Sequence, residues 1–355
     1  MILLDKLVNF LLYRLRRLVP TPSVVQFVQK HLRYIPAKPT GCHAVYGPFY
    51  EPYYNVSQPF SGTPCIYSKE GRPLESFFLR DVVSAHVPYS SSRYFAWDRF
   101  NFGLSTHFYA HGAMLETMGN PDRRYGIFVE SEGIIPHHYA IFRRHPGLEK
   151  DFDAIFTFSE PLLDTLPNAK YFPACSSIWY SQEICNGQKD PAVLSENAFQ
   201  FKEKNISMIC SARKLTPMQL IRHQLAHEAL RSGKVDVFGA FQNPNACIPF
   251  KSAALSKYRF HIAIENDIQP FYFTEKIMDC FAAMTIPIYL GAPRIGDFFN
   301  SDGILFLSEK TPLEKILAQC TEEEYIRRLP AVQDNYRRCL NYLNLDDKLY
   351  EEHFL

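Results

Sequence analysis

The stretch from Phe260 to Pro293, FHIAIENDIQPFYFTEKIMDCFAAMTIPIYLGAP, gathers the residue types best suited to chemistry. An apolar run ends in Glu265 and Asn266, a short loop leads through Tyr272 to Thr274, Glu275 and Lys276, and the next apolar run ends at Gly291 before Pro293. This order suits a phosphorylated ligand. Thr274 is a good N-cap for a helix, and the free N–H groups and positive dipole end of a helix start favour an anion. Lys276 beside them adds a mobile cation that suits a diphosphate, and Gly291 permits close approach of backbone to ligand. Plainer roles fit the same letters. Glu275 can complement the helix dipole for about 0.3–1 kcal/mol, Lys276 can be a solvated cation, and Gly291 can mark a turn.

Three other groupings carry weaker signals. Asp151-Phe152-Asp153 is a literal D-x-D, the pattern by which some transferases hold a metal and a diphosphate, but it opens an apolar run instead of ending one. His107 and His111 share i,i+4 spacing without an accompanying H-E-x-x-H or a clear helical pattern, which fits ordinary polar or core histidines better than metal ligands. His137-His138 lies in a polar stretch where it can touch a sugar or simply serve a loop.

The elements that must position these residues read most clearly after Lys204. NISMICSA predicts a strand, TPMQLIRHQLAHEALRSG a helix closed by Gly233, and KVDVFGAF a second strand. Strands over Tyr258–Glu265 and Ile286–Leu290 follow, with a helix over Thr274–Met284 between them. Strands separated by such helices make βαβ units on a parallel sheet, and ligands of parallel sheets sit at the strands' carboxyl ends. Earlier in the chain FFLRDVVSAHV, YGIFVES and FDAIFTF read as buried strands ending in loops, and residues 38–75 as turns rich in Pro, Gly, Ser and Tyr. IWYSQEICNGQKDPAVLSEN lacks periodicity and reads as a linker. The expected division is an N-terminal domain of residues 1–198 and a C-terminal domain of residues 199–355.

With 38 Lys+Arg against 37 Asp+Glu over 355 residues, the net charge of +1 argues against a nucleic-acid partner. Hydrophobic residues at 46% rule out a disordered chain. Aromatic residues at 15% suit either sugar rings or a ring-filled core. Nine cysteines without a C-x-x-C read as reduced thiols of a cytoplasmic protein. The N-terminus, MILLDKLVNFLLYRLRRLVP, is too interrupted by charge to span a membrane. It reads as an amphipathic helix that packs on its domain or makes peripheral contact with an anionic membrane surface.

Taken in order, these motifs resemble the donor-binding region of the α-1,3-fucosyltransferases, glycosyltransferase family 10. The family pattern is an apolar strand, Phe-Glu-Asn, a loop, Tyr-x-Thr-Glu-Lys, a helix, and a strand ending near Gly-x-Pro. Here Ile264 stands for the Phe, followed by Glu265 and Asn266; Tyr272-Phe273-Thr274-Glu275-Lys276 and Ile286 to Pro293 supply the rest. Upstream, ISMICSARKLTPMQLIRHQLAHEALRSGKVDVFG follows the family's strand–helix–strand order, with Arg222 at the place of its diphosphate-binding arginine. Tyr125 to Gly133 is similar to the segment bearing the family's catalytic acid, Gly133 replacing a proline, so that Glu130 matches the base and Glu132 is the reserve.

The resemblance implies a GT-B-like α/β fold, two Rossmann-like domains facing across a cleft, with the acceptor on the first and the nucleotide sugar on the second. It implies an inverting transfer of L-fucose from GDP-fucose to a glycan hydroxyl, with no cofactor required and a divalent metal at most stimulatory. Glu130 would take the acceptor proton. Arg222, Lys276 and the N–H groups near Thr274 would stabilise the leaving diphosphate, and Asn266, Tyr272 and Glu275 would contact ribose, phosphate or sugar. The acceptor stays open between glycans of lipopolysaccharide, glycoprotein and glycolipid. A transferase using another nucleotide sugar and a catalytically silent glycan binder are the competing readings.

Overall fold

The computed structural model describes residues 75–80, 92–98, 103–115, 121–174, 177–185, 188–242, 247–308 and 310–355. The N-terminal helix and the Pro/Tyr-rich turns expected before residue 75 lie outside the described residues. The described residues divide into two compact units between Phe172 and Pro173, with Leu355 assigned to the first.

The first unit is built on strands β1 (Glu75–Arg80), β2 (Phe95–Asp98), β3 (Thr106–Ala110), β4 (Arg123–Phe128), β5 (Ala154–Thr157) and β6 (Ala169–Tyr171), with helix α1 (Pro136–Arg144) after β4 and α2 (Glu160–Thr165) after β5. All pairings are parallel, in the order β2-β1-β3-β4-β5-β6. The aromatic excess fills one face of this sheet. Phe77, Phe95, Trp97, Phe108, Tyr125 and Phe156 form a continuous series of ring contacts between 4.7 and 5.8 Å. Phe78, Tyr109, Phe128, Ile141 and Phe152 make the core on the other face.

The D-x-D falls at the amino-terminal edge of this sheet. Asp153 Oδ2 accepts the Arg124 amide at 2.7 Å, while the Arg124 guanidinium lies 5.2 Å from the Phe152 ring centroid and 4.5 Å from that of Tyr109. Here the motif clasps two strands together, at the edge opposite the one where parallel sheets bind ligands.

The second unit holds a two-stranded hairpin, β7 (Ile184–Cys185) and β8 (Gln188–Lys189), and then a parallel sheet of β9 (Lys204–Ile209), β10 (Val235–Phe238), β11 (Tyr258–Ile264), β12 (Ile286–Leu290) and β13 (Leu305–Phe306). Its order is β10-β9-β11-β12-β13. The helices are α3 (Pro217–Ser232), α4 (Ser252–Leu255), α5 (Glu275–Ala282), α6 (Leu313–Leu317), α7 (Glu322–Cys339) and α8 (Leu345–His353). β11 and β12 are buried on both faces, hence their unbroken apolar letters. Ile262 and Ile264 enter one core and Ala263 the other. α3 starts where Thr216 accepts the Gln219 amide with Pro217 in the first turn, and stops where Gly233 takes a left-handed φ of 65°.

The stretch read as a linker up to residue 198 packs with the second unit instead. Ile178 and Tyr180 enter its core, and Asp279 accepts the Trp179 and Tyr180 amides at 2.7 and 3.0 Å. Its polar composition hid these anchors, because they are made by backbone amides.

Candidate functional site

In a sheet ordered β10-β9-β11-β12-β13, strand order reverses between β9 and β11, and the crevice beyond their carboxyl ends is the natural ligand seat. Thr216, Gln219 and Arg222, spaced along one face of α3, converge there on Asn266. The Thr216 hydroxyl donates to the Asn266 carbonyl at 2.7 Å, and Gln219 Nε2 and Arg222 Nη2 donate to Asn266 Oδ1 at 3.4 and 2.9 Å. Arg222 Nη2 also donates to the Ile264 carbonyl at 2.5 Å. Both bonds use one nitrogen, so Nε and Nη1 of the guanidinium make no hydrogen bond among the described residues. Burial pulls Arg222 below its ordinary pKa, with the Glu265 carboxylate opposing the shift.

Glu265, wholly buried, ties the loop after β11 to the start of α5. Its Oε1 accepts the Thr274 amide at 2.9 Å and its Oε2 the Thr274 hydroxyl at 2.7 Å. Thr274 therefore occupies the N-cap position, but its side chain makes no capping bond to the helix amides. The hydroxyl instead donates to Glu265 and accepts from Lys276 Nζ at 2.7 Å. Lys276 Nζ also lies 3.3 Å from both Glu265 Oε2 and Glu275 Oε1.

Burial alone would raise the Glu275 carboxyl. The Lys251 and Lys276 ammoniums, with the contact from Lys251 at 3.2 Å, hold it well below the usual carboxylate range. Tyr272 is buried, its amide donating to the Gln269 carbonyl at 3.1 Å. At Gly291 a Cβ would come within 2.4 Å of the Tyr289 hydroxyl and 2.5 Å of Glu265 Cγ. The glycine thus makes room for the protein's own Glu265 and Tyr289.

Glu130 stands in the first unit, two residues beyond the end of β4. Its Oε1 accepts the Ser131 amide at 2.8 Å and its carbonyl accepts the Tyr139 hydroxyl at 3.0 Å. The buried His111 holds the same backbone, Nε2 accepting from the Glu130 and Val129 amides at 3.1 and 3.3 Å. His111 has a left-handed φ of 51°, a conformation uncommon for residues with side chains and retained where neighbouring bonds enforce it. His138 Nδ1 accepts the Gly112 amide at 3.3 Å. His107 sits on strand β3, so the i,i+4 pair is not on a helix. Glu132 is exposed.

The second unit thus brings together Arg222, Asn266, Thr274, Glu275 and Lys276, with Gly291 packed against Glu265. Sequence reasoning gave no part in the site to Thr216, Gln219, Glu183, Lys251 or Asp279. Glu265 was legible as the end of an apolar run, but its part as an anchor was not.

The second unit thus carries a buried cation and a carboxylate-anchored helix start at the switch point of a parallel sheet, and with the all-parallel first unit the chain is an α/β protein of two Rossmann-like units. Residues 199–300 match the family model of the C-terminal part of glycosyltransferase family 10, the fucosyltransferases. An alpha-(1,3)-fucosyltransferase of Helicobacter pylori is 33% identical over 103 residues, 28% of this chain and 20% of that protein. A 3-galactosyl-N-acetylglucosaminide 4-alpha-L-fucosyltransferase of Bos taurus is 31% identical over 125 residues, 34% of this chain and 31% of that one. The similarity thus spans under a third of these relatives' lengths. A crystallised alpha1,3-fucosyltransferase solved with GDP-fucose aligns with a TM-score of 0.44 and 16% identity, over 89% of this chain and 99% of that one. Among the described residues no helix is long and apolar enough to cross a membrane.

Proposed function

We propose that the protein is an inverting glycosyltransferase that moves L-fucose from GDP-fucose to a hydroxyl of a glycan acceptor, with α-1,3 geometry. The observation that carries the reading is the second unit's switch point, where Arg222 presents an uncommitted edge of its guanidinium beside Asn266 and the start of α5. The family match over residues 199–300 supports it. In this scheme Arg222 binds two phosphate oxygens at once, which a planar guanidinium can do and an ammonium cannot. Lys276 turns from Glu265 and Glu275 to the diphosphate, and the first amides of α5 add the helix dipole.

Glu130 takes the proton of the attacking hydroxyl. The acceptor oxygen bonds to the anomeric carbon from the face opposite the nucleotide as the carbon–oxygen bond to the diphosphate breaks, and GDP leaves with the electron pair. The cations offset the charge that develops on the leaving group, so no metal is required. A cytoplasmic setting belongs to the same reading, supported by the buried free thiols Cys210, Cys280, Cys320 and Cys339.

The test is a screen of GDP-, UDP- and dTDP-sugars against mixed glycan acceptors, scored by release of nucleoside diphosphate with and without EDTA. Release from GDP-fucose that survives chelation is expected. Release from another donor alone would replace fucose with that sugar, and binding of free glycans without any nucleotide would make this a silent carbohydrate binder.

A further inference from the structure

We infer that Lys251 positions Glu275 and thereby leaves Lys276 available to a ligand's diphosphate; this rests on the donor-site reading above and adds a residue to it. Lys251 precedes α4, and its largely buried ammonium reaches Asp279 Oδ2 at 2.7 Å and Glu275 Oε1 at 3.2 Å. Glu275 and Asp279 lie one turn apart on α5, so one cation spans two carboxylates of a single helix face. The Trp179 ring covers the ammonium at 4.2 Å. The Lys251 amide donates to Glu183 Oε2 at 2.6 Å, and Asp279 is itself fixed by the Trp179 and Tyr180 amides. Lys251 is thus held through both its ammonium and its backbone amide.

Lys276 is the mobile partner. Both ammoniums reach the same oxygen, Glu275 Oε1, Lys276 at 3.3 Å and Lys251 at 3.2 Å. Around this point the side chains of Lys251, Lys276 and Arg222 face the carboxyl groups of Glu265, Glu275 and Asp279; burial pushes Asp279 up against the opposing Lys251 charge, and pushes the Glu183 carboxyl beside Lys251 up to about 7. When Lys276 turns to a diphosphate, Glu275 still has Lys251. Without Lys251, Glu275 loses one of the two ammoniums that reach its Oε1, and a diphosphate has to compete with Glu265 and Glu275 for Lys276.

The experiment pairs two readouts on the full chain. The first follows the Glu275 carboxyl carbon by NMR in nucleotide-free protein between about pH 5 and pH 8. Wild type should show Glu275 ionised throughout, Lys251→Gln should bring its titration into the window, and Lys251→Arg should restore it. The second is calorimetric titration with GDP, where Lys251→Gln should weaken binding about tenfold or more, as losing a charge-assisted contact does, and Lys251→Arg should recover most of it.

Should Lys251→Gln fail to fold because Asp279 loses its partner, Lys251→Gln/Asp279→Asn, which removes both charges of that pair, takes its place in both readouts: the Glu275 titration should still enter the window and GDP binding should still weaken. An unchanged Glu275 titration, or GDP binding as tight as in wild type, in whichever of the two variants folds overturns the inference. Absence of GDP binding by wild type overturns the donor-site reading instead, and the carboxyl titration still judges Lys251.

Discussion

The carboxylate of Glu265 accepts both the amide and the hydroxyl of Thr274, at 2.9 and 2.7 Å, where solvent does not reach. One side chain at the end of β11 thereby sets where α5 begins. The Thr274 amide needs an acceptor, and the same carboxylate faces the Lys276 ammonium at 3.3 Å. In Glu265→Gln the oxygen can still serve the amide, but the NH2 then stands where Oε2 met the Thr274 hydroxyl and Lys276. The hydroxyl must then reverse, and the ammonium loses its buried counter-charge. A loss of about 1–3 kcal/mol is expected, read as a lower urea midpoint at unchanged slope.

Arg222→Lys should fold, because the ammonium can still donate to the Ile264 carbonyl or to Asn266. It loses the second edge of the fork. Transfer is expected to fall by about 10- to 100-fold, the worth of a charged hydrogen-bonding pair, with GDP affinity falling alongside in calorimetry. Wild-type turnover by this variant would remove Arg222 from the diphosphate seat.

Much of the second unit was legible because buried parallel strands write themselves as apolar runs. Ile286–Leu290 was read to the residue, and α3 was marked by Thr216-Pro217 and Gly233. β2 (FAWD) and β3 (THFYA) escaped, since four or five letters mixing polar and aromatic types show no clean period. The segment at Trp179 read as a linker because its anchors are backbone amides taken by Asp279. The contacts of Lys251 with Asp279 and of His111 with Glu130 join residues 28 and 19 apart in the chain. Spacing along a sequence does not reveal pairs that only the sheet brings together.

Glu130→Gln is expected to bind GDP as wild type does while transfer drops by a factor on the order of 10²–10⁴, the range for loss of a general base. His111→Ala should lower transfer as well, because the amides of Val129 and Glu130 lose their shared acceptor. Paired GDP calorimetry and single-turnover assays separate the two effects from donor binding. A Glu130→Gln variant that still transfers would move the base elsewhere, Glu132 being the nearest carboxylate in sequence.

Glu183 gives a pH signature. Burial raises its folded-state value to about 7 from 4.5, despite the opposing Lys251 charge. The native state then holds a proton that the unfolded chain has already released between these values. Stability contributed by this group is present below about pH 4.5 and lost as pH rises through about 7, the slope following the difference in bound protons. Urea unfolding of wild type across that window should show this decline against Glu183→Gln, in which the proton-linked component is absent. Parallel curves would mean that Glu183 titrates normally.

Gly291→Ala tests whether the end of β12 serves the protein's own packing. The new Cβ would sit 2.4 Å from the Tyr289 hydroxyl and 2.5 Å from Glu265 Cγ, inside any tolerable contact. Tyr289 cannot easily yield, because its hydroxyl accepts the Ala292 amide at 3.0 Å, and Glu265 cannot move without releasing Thr274. Overpacking of this kind costs about 1–3 kcal/mol, so a lower melting temperature is expected even without nucleotide. Weaker GDP binding should accompany it, since the displaced carboxylate drags the start of α5 and Lys276 with it. Unchanged stability with impaired binding would show that Gly291 instead clears space for the ligand.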